Sequence, residues 1–123
     1  MAKPVTDVIL CRPIILASAS ISSDVQIPRN CSVMTIMPPD SLSARYWKMQ
    51  HLRPTINQDS DYWSDTYYNV NGELVQLRFP YSSQMAVVLR SGEFGSGIVR
   101  FNLDGDVQTE DAYWFVMFSG FNN

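Results

Sequence analysis

Three features of the amino-acid sequence predict an all-β fold: a single antiparallel β-sandwich, jelly-roll-like, with about eight or nine short strands. Apolar and polar residues alternate in short runs, as from Val33 to Met37 and from Ile98 to Leu103. Clusters of Gly, Pro, Asn and Asp separate these runs about every 8–12 residues. No stretch carries apolar residues at helical spacing. With 123 residues and 46% apolar composition, the chain can build one domain around its own core.

Taken in order, residues 1–13 read as an N-terminal arm or first strand, and residues 14–123 as the sandwich domain. Val5 to Leu10 can extend, and Pro13 breaks the run. From Ile14 to Ser22 a two-residue period predicts a strand. Cys31 to Met37 is a strand closed by Pro38-Pro39, since proline cannot donate to a ladder. Arg45 to Leu52 is the next, with Trp47, Met49 and His51 on the likelier core face. Arg53 to Ser64 is polar and reads as the longest loop. Thr66 to Leu77 is a hairpin about Asn71-Gly72, the residues a type I′ turn demands. That turn sets Val70 opposite Glu73, Tyr68 opposite Val75 and Thr66 opposite Leu77, a mostly apolar face expected to point inward. On the polar face it sets Asp65 opposite Arg78.

Met85 to Ser91 and Ile98 to Leu103 read as strands, with a loop marked by Gly92, Gly95 and Gly97 between them. Asp104-Gly105 is a second turn. The closing strand, Ala112 to Phe118, has Tyr113, Phe115 and Met117 on one face and Trp114, Val116 and Phe118 on the other. It has no polar side. Such a strand is covered twice within the fold or sits at a subunit interface.

Composition narrows the function. Net charge is −3, and the chain has two lysines, Lys3 and Lys48, with seven scattered arginines. No basic patch points to a nucleic-acid partner. No run of about 18 apolar residues points to a membrane span. Asp7, Arg12 and Pro13 interrupt any signal-peptide core, so assembly in the cytoplasm is expected. Charged residues make up 17% of the chain, low against a usual ~25%. Together with three Trp, six Tyr, six Phe and six Met, this favours burial of part of the surface against other subunits.

Cys11 and Cys31 are either one disulfide or two buried small side chains. His51, the one histidine, reads as a packed or edge residue. Asp59, Asp61 and Asp65, or Asp104, Asp106, Glu110 and Asp111, could gather round a cation, but neither group has the EF-hand pattern. The glycines precede no helix, so no phosphate loop is expected. No catalytic residue, metal or cofactor is expected, and the chain does not read as an enzyme. The aromatic residues Tyr62, Trp63, Tyr67 and Tyr68 fit a protein interface better than a sugar platform. The candidate oligomer or partner interface is Tyr62, Trp63, Tyr67, Tyr113, Trp114 and Phe118.

From Asp24 onward the layout resembles small β-sandwich virion proteins of tailed bacteriophages, a group that includes capsid decoration (cement) proteins. The likeness runs through Val25-Gln26-Ile27-Pro28, a strand ending in Pro38-Pro39, the Trp-containing Arg45 to Leu52, Asp59-Ser60-Asp61, the Tyr68 to Val75 hairpin, Arg90, Val99-Arg100-Phe101 and a final apolar strand. It rests on spacing and strand order. It implies a structural virion protein on the capsid surface, binding the major capsid protein and itself, as a homodimer or homotrimer, and stabilising the shell. The alternative is a tail or host-recognition part, or a carbohydrate-binding module, in which Trp63 would be exposed.

Overall fold

The computed structural model describes residues 8–53, 62–94 and 97–121. Prolines and positive-φ turns cut the chain into short strands. These are β1 (Ile9–Cys11), β2 (Ile14–Ile15), β3 (Val25–Gln26), β4 (Val33–Met37), β5 (Tyr46–Arg53), β6 (Tyr62–Asp65), β7 (Tyr67–Val70), β8 (Glu73–Gln76), β9 (Arg78–Pro80) and β10 (Val87–Arg90). A single helical turn, α1 (Ser91–Phe94), leads to β11 (Ile98–Asn102), β12 (Ala112–Tyr113) and β13 (Phe115–Ser119). All pairings are antiparallel. The all-β sandwich expected from the sequence is what the chain builds, with more and shorter strands.

The first sheet has the order β1-β13-β4-β10. The second runs β3-β11-β5, and the far edge of β5 is shared end to end by β9 and β6. Between these two, Met49 N–H donates to the Leu77 carbonyl at 3.0 Å, and Thr66 N–H donates to the Met49 carbonyl at 3.1 Å. Leu77 N–H then donates to the Thr66 carbonyl at 2.8 Å. Past that point the chain pairs only with itself and leaves the sheet as the β7–β8 ribbon.

The two ends of the fold are joined. β1 and β2 lie against β13 and β12 in one register, from Ile9 opposite Phe118 to Ile15 opposite Ala112. Pro13 interrupts this ribbon because it has no N–H; its carbonyl still accepts from Trp114 N–H at 2.9 Å.

Alternation fills the core. Met34, Ile36, Leu89, Val116 and Phe118 from the first sheet meet Trp47, Met49, Val99 and Phe101 from the second. At the centre Trp47 packs edge-on to Trp114 at 4.6 Å and to Phe101 at 5.4 Å, a geometry aromatic quadrupoles favour. Neither buried indole N–H finds a hydrogen-bond acceptor among the described residues. Edge-to-face packing is the arrangement in which such an N–H can meet a π face instead.

Four expectations are corrected. The strand predicted from Ile14 to Ser22 stops at Ile15, where a turn containing Ser18 at φ 68° begins, with Ala17 N–H held by the Asp111 carboxylate. The predicted loop from Arg53 to Ser64 gives up its ends, since Arg53 is in β5 and Tyr62 to Ser64 are in β6; residues 54–61, including Asp59 and Asp61, lie outside the described residues. The hairpin has the predicted register, and Asn71 and Gly72 carry φ of 51° and 88°. Its apolar face is inward at the base, where Thr66 and Leu77 are buried, and at half-buried Tyr68, which packs on the core; Val70 and Val75 are exposed. Asp65 and Arg78 do not face each other, because β5 lies between them and pairs Gln50 with Asp65 and Lys48 with Arg78.

Candidate functional site

The outer faces of the two sheets have opposite chemistry. On the second sheet, period-two alternation places Lys48 and Gln50 of β5, Asp65 of β6, Arg78 of β9 and Arg100 and Asn102 of β11 on one face. Asp65 is the hub. It binds Lys48 Nζ at 3.1 Å and accepts from Gln50 Nε2 at 3.0 Å and from Gln76 Nε2 at 3.1 Å. Gln50 Oε1 in turn accepts from Arg100 Nε at 2.9 Å and Asn102 Nδ2 at 3.1 Å. Asp104 joins Lys48 at 3.3 Å and Arg78 Nε at 2.9 Å. The hydrogen bonds from Arg78 and Lys48 hold the Asp104 carboxyl below its usual range. Burial works against the Lys48 ammonium, but its bonds to Asp65 and Asp104 outweigh that and raise its pKa.

Aromatic rings flank this network. The Arg78 guanidinium lies 4.1 Å from the Tyr46 ring centroid, and that of Arg100 lies 4.1 Å from Trp63. Arg100 therefore occupies one face of Trp63, where a sugar ring would stack.

On the first sheet the outer face is nearly free of charge. One row across it reads Leu10, Met117, Thr35, Val88; beside it stand Phe115 with Met37, and Ser119, Val33 and Arg90. Leu10 and Val88 are 55% and 56% exposed. A sheet face turned to water normally alternates to polar residues, and this one does not. Among the described residues, its ionisable side chains are Arg90 at one corner and Arg12 beside Phe115.

A groove of about 540 Å³ opens at the β6 edge, lined by His51, Arg53, Tyr62, Trp63, Ser64, Asp65 and Tyr67. Thus three of the candidate interface residues, Tyr62, Trp63 and Tyr67, come together; Tyr62 and Tyr67 are exposed and Trp63 is half-buried. His51 sits at the groove's base. Its Nδ1 is 2.9 Å from Thr66 Oγ1 and its Nε2 is 3.2 Å from Ser64 Oγ. Burial, aided by the Arg53 charge, lowers its pKa, so the ring is neutral at pH 7. The one carboxylate among the groove's described lining residues, Asp65, is engaged on the opposite face of the sheet by Lys48, Gln50 and Gln76.

Tyr113 is exposed and lines a different cleft, of about 650 Å³, with Arg12 5.1 Å from its ring centroid. Trp114 and Phe118 are withdrawn from the candidate interface: both are fully buried between the sheets and offer no surface. The residues missed by sequence reasoning are their strand neighbours Phe115 and Met117, which carry the outer side of the same strand. The doubly apolar pattern of Ala112 to Phe118 was their signal. Cys11 and Cys31 are both free thiols.

No protein-family model matches the chain, and no curated protein matches it. Among solved structures, the crystal structure of the SPBc2 prophage-derived protein YomS is similar over 98% of this chain and 99% of that one, with a TM-score of 0.60 and 10% sequence identity. At that identity the likeness is one of fold, and it extends end to end.

Proposed function

We propose that this chain is a structural protein of a phage virion, a capsid decoration protein that binds the outer surface of the head shell and stabilises it. The observation that carries the reading is the end-to-end fold likeness to a prophage-derived protein. The unlike sheet faces support it. A charged, internally braced face suits water, and an apolar face suits burial in an assembly. The Tyr62–Trp63–Tyr67 groove is the surface assigned to the major capsid protein, because exposed aromatics at a concave edge are the usual anchors of protein contacts. No catalytic step or cofactor enters this reading. Stabilisation follows from mass action: a protein that binds only the assembled shell favours that state.

The test is co-sedimentation of purified protein with heads of its own phage that lack it. Saturable binding through a groove broken by Tyr62→Ala with Trp63→Ala is the expected result. Protein that stays in the supernatant at every concentration overturns the proposal. Binding to purified tails and not to heads moves the assignment to a tail-attached module.

A further inference from the structure

The first sheet comes open at one end. There β4 and β13 pair as far as Met37 opposite Phe115 and no further. Pro38 and Pro39 have no N–H to continue the ladder, and the Pro39 carbonyl accepts from the Tyr81 hydroxyl at 2.6 Å. The other strand turns away to β2, where Tyr113 stands opposite Ile14. Ile14 spends both its backbone groups on the far side: its N–H donates to Ser23 Oγ at 3.0 Å, and its carbonyl accepts from Ser23 N–H at 2.8 Å. Tyr113 and Ile14 are therefore an antiparallel pair without mutual hydrogen bonds. The Tyr113 N–H and C=O point the other way, into the cleft of about 650 Å³ that separates β12 from Pro38 and Pro39. Neither group has a hydrogen-bond partner among the described residues.

We propose that this cleft is a docking slot for one extended segment of a partner protein, a segment that carries a lysine or arginine. An unpaired strand edge is a template for another strand, and one residue of the guest exchanges both hydrogen bonds with Tyr113 as an antiparallel neighbour does. The fold keeps the slot from zipping shut, because the facing wall is proline. Edge strand β10 is treated differently: there the Glu93 carboxylate caps the Arg90 N–H at 2.8 Å and blocks the approach of a guest. Charge selects what enters. Three carboxylates, Asp40, Glu110 and Asp111, line the cleft against one cation, Arg12. Asp111 accepts from Ala17 N–H, and Arg12 lies over the Tyr113 ring. Asp40 and Glu110 are exposed and have no ion-pair partner among the described residues, so a basic side chain on the guest meets them. The acids do not converge on a metal site, since no group of three ligand-type side chains among the described residues is placed to hold an ion. The slot is separate from the Tyr62–Trp63–Tyr67 groove and stands without the virion reading.

The experiment selects binders to the full chain from a library of random heptapeptides, then measures the best of them, synthesised with a fluorescent label, by anisotropy. The selected peptides are expected to carry a lysine or arginine and to bind more weakly as salt rises. Tyr113→Pro removes a donor that the fold itself does not use, and it should weaken binding at least about fivefold, the worth of a hydrogen bond. Tyr113→Ala keeps that N–H and should stay within about twofold of the native chain. Asp40→Asn with Glu110→Gln should weaken binding several-fold. Circular dichroism checks that each variant is folded. Amide exchange of the native chain gives a second readout that needs no variant: the Tyr113 N–H should exchange at least about tenfold more slowly with peptide bound. A library that yields no binder overturns the inference, and so do selected peptides without a basic residue. Binding that is unchanged in Tyr113→Pro, or that leaves Tyr113 amide exchange as it was, overturns it as well. Peptides that bind the native chain and are lost in Trp63→Ala but not in Tyr113→Pro belong to the other groove and also overturn it.

Discussion

Replacing Asp65 with alanine tests whether the polar network braces the fold or decorates it. The carboxylate serves three donors from two strands: Lys48 and Gln50 on β5 and Gln76 on β8. Without it Lys48 keeps Asp104. Gln50, at the limit of burial, keeps its two acceptor bonds but loses the partner for its N–H₂ group, at about 1–3 kcal/mol. Gln76 and Lys48 have some access to water, so each loses only about 0.5–1 kcal/mol. The sum is roughly 2–5 kcal/mol, a large part of the ~5–15 kcal/mol that holds a domain together. Asp65→Asn keeps the shape but turns an N–H₂ toward a donor, and about half that loss is expected. Urea unfolding followed by fluorescence of the buried tryptophans reads both values, with far-UV circular dichroism to check that one transition is seen. A loss under about 1 kcal/mol for Asp65→Ala, at unchanged denaturant slope, would refute the reasoning and make the network an ordinary set of surface contacts.

Four further outcomes rest on named contacts. The Asp104 carboxyl is held below its unfolded pKa of about 3.9. Its stabilisation is therefore complete above that pH and lost as pH falls through the folded value, so Asp104→Asn should flatten the acid limb of stability below about pH 4. His51 is lowered too, so the unfolded chain takes up that proton first and stability falls as pH drops below about 6.5; His51→Gln should remove that slope in urea melts between about pH 6.5 and 5. At Gly120 the backbone has φ 69°, and an added Cβ would collide with the Ser32 hydroxyl, which donates to the Gly120 carbonyl at 2.8 Å. Gly120→Ala should cost about 2 kcal/mol in thermal unfolding, partly recovered by Ser32→Ala. Gly72→Val puts a β-branched residue at φ 88° in the hairpin turn and should cost about 1–3 kcal/mol in urea unfolding.

What was legible in the sequence was what alternation and turn chemistry control. The inward faces of β5 and β11 follow directly from the two-residue period, and Asn71-Gly72 sets its hairpin register unaided. What could not be read was which strands meet. Thr66 and Leu77 alternate as core residues do, but whether the ribbon beyond them lies on the body depends on β5 having one edge to offer to two strands. The same ambiguity misplaced Asp65 and Arg78, partners by local register yet separated by a strand. The Ile14 to Ser22 run failed for another reason: Ser and Ala at alternate positions bury too little to hold a ladder, and Asp111, distant in sequence, captures the backbone of Ala17. In the interface, exposure of Tyr62 and Tyr67 was legible from polar surroundings, whereas Trp114 and Phe118 could not be told from Phe115 and Met117 in a strand apolar on both sides.

The pairing of β1 and β2 with β12 and β13 has a consequence for synthesis. β13 is not an edge; it lies between β1 and β4, so the first sheet has a gap until residues 115–119 leave the ribosome. Until then β4 and β1 wait with open ladder edges, and the apolar inner face of the second sheet has no complete lid. Folding therefore cannot finish in step with translation. It must close a loop of about a hundred residues, which long-range pairing makes slow. Nonsense or frameshift changes anywhere before Phe115 should yield an insoluble fragment, with no shortened but working protein among the products.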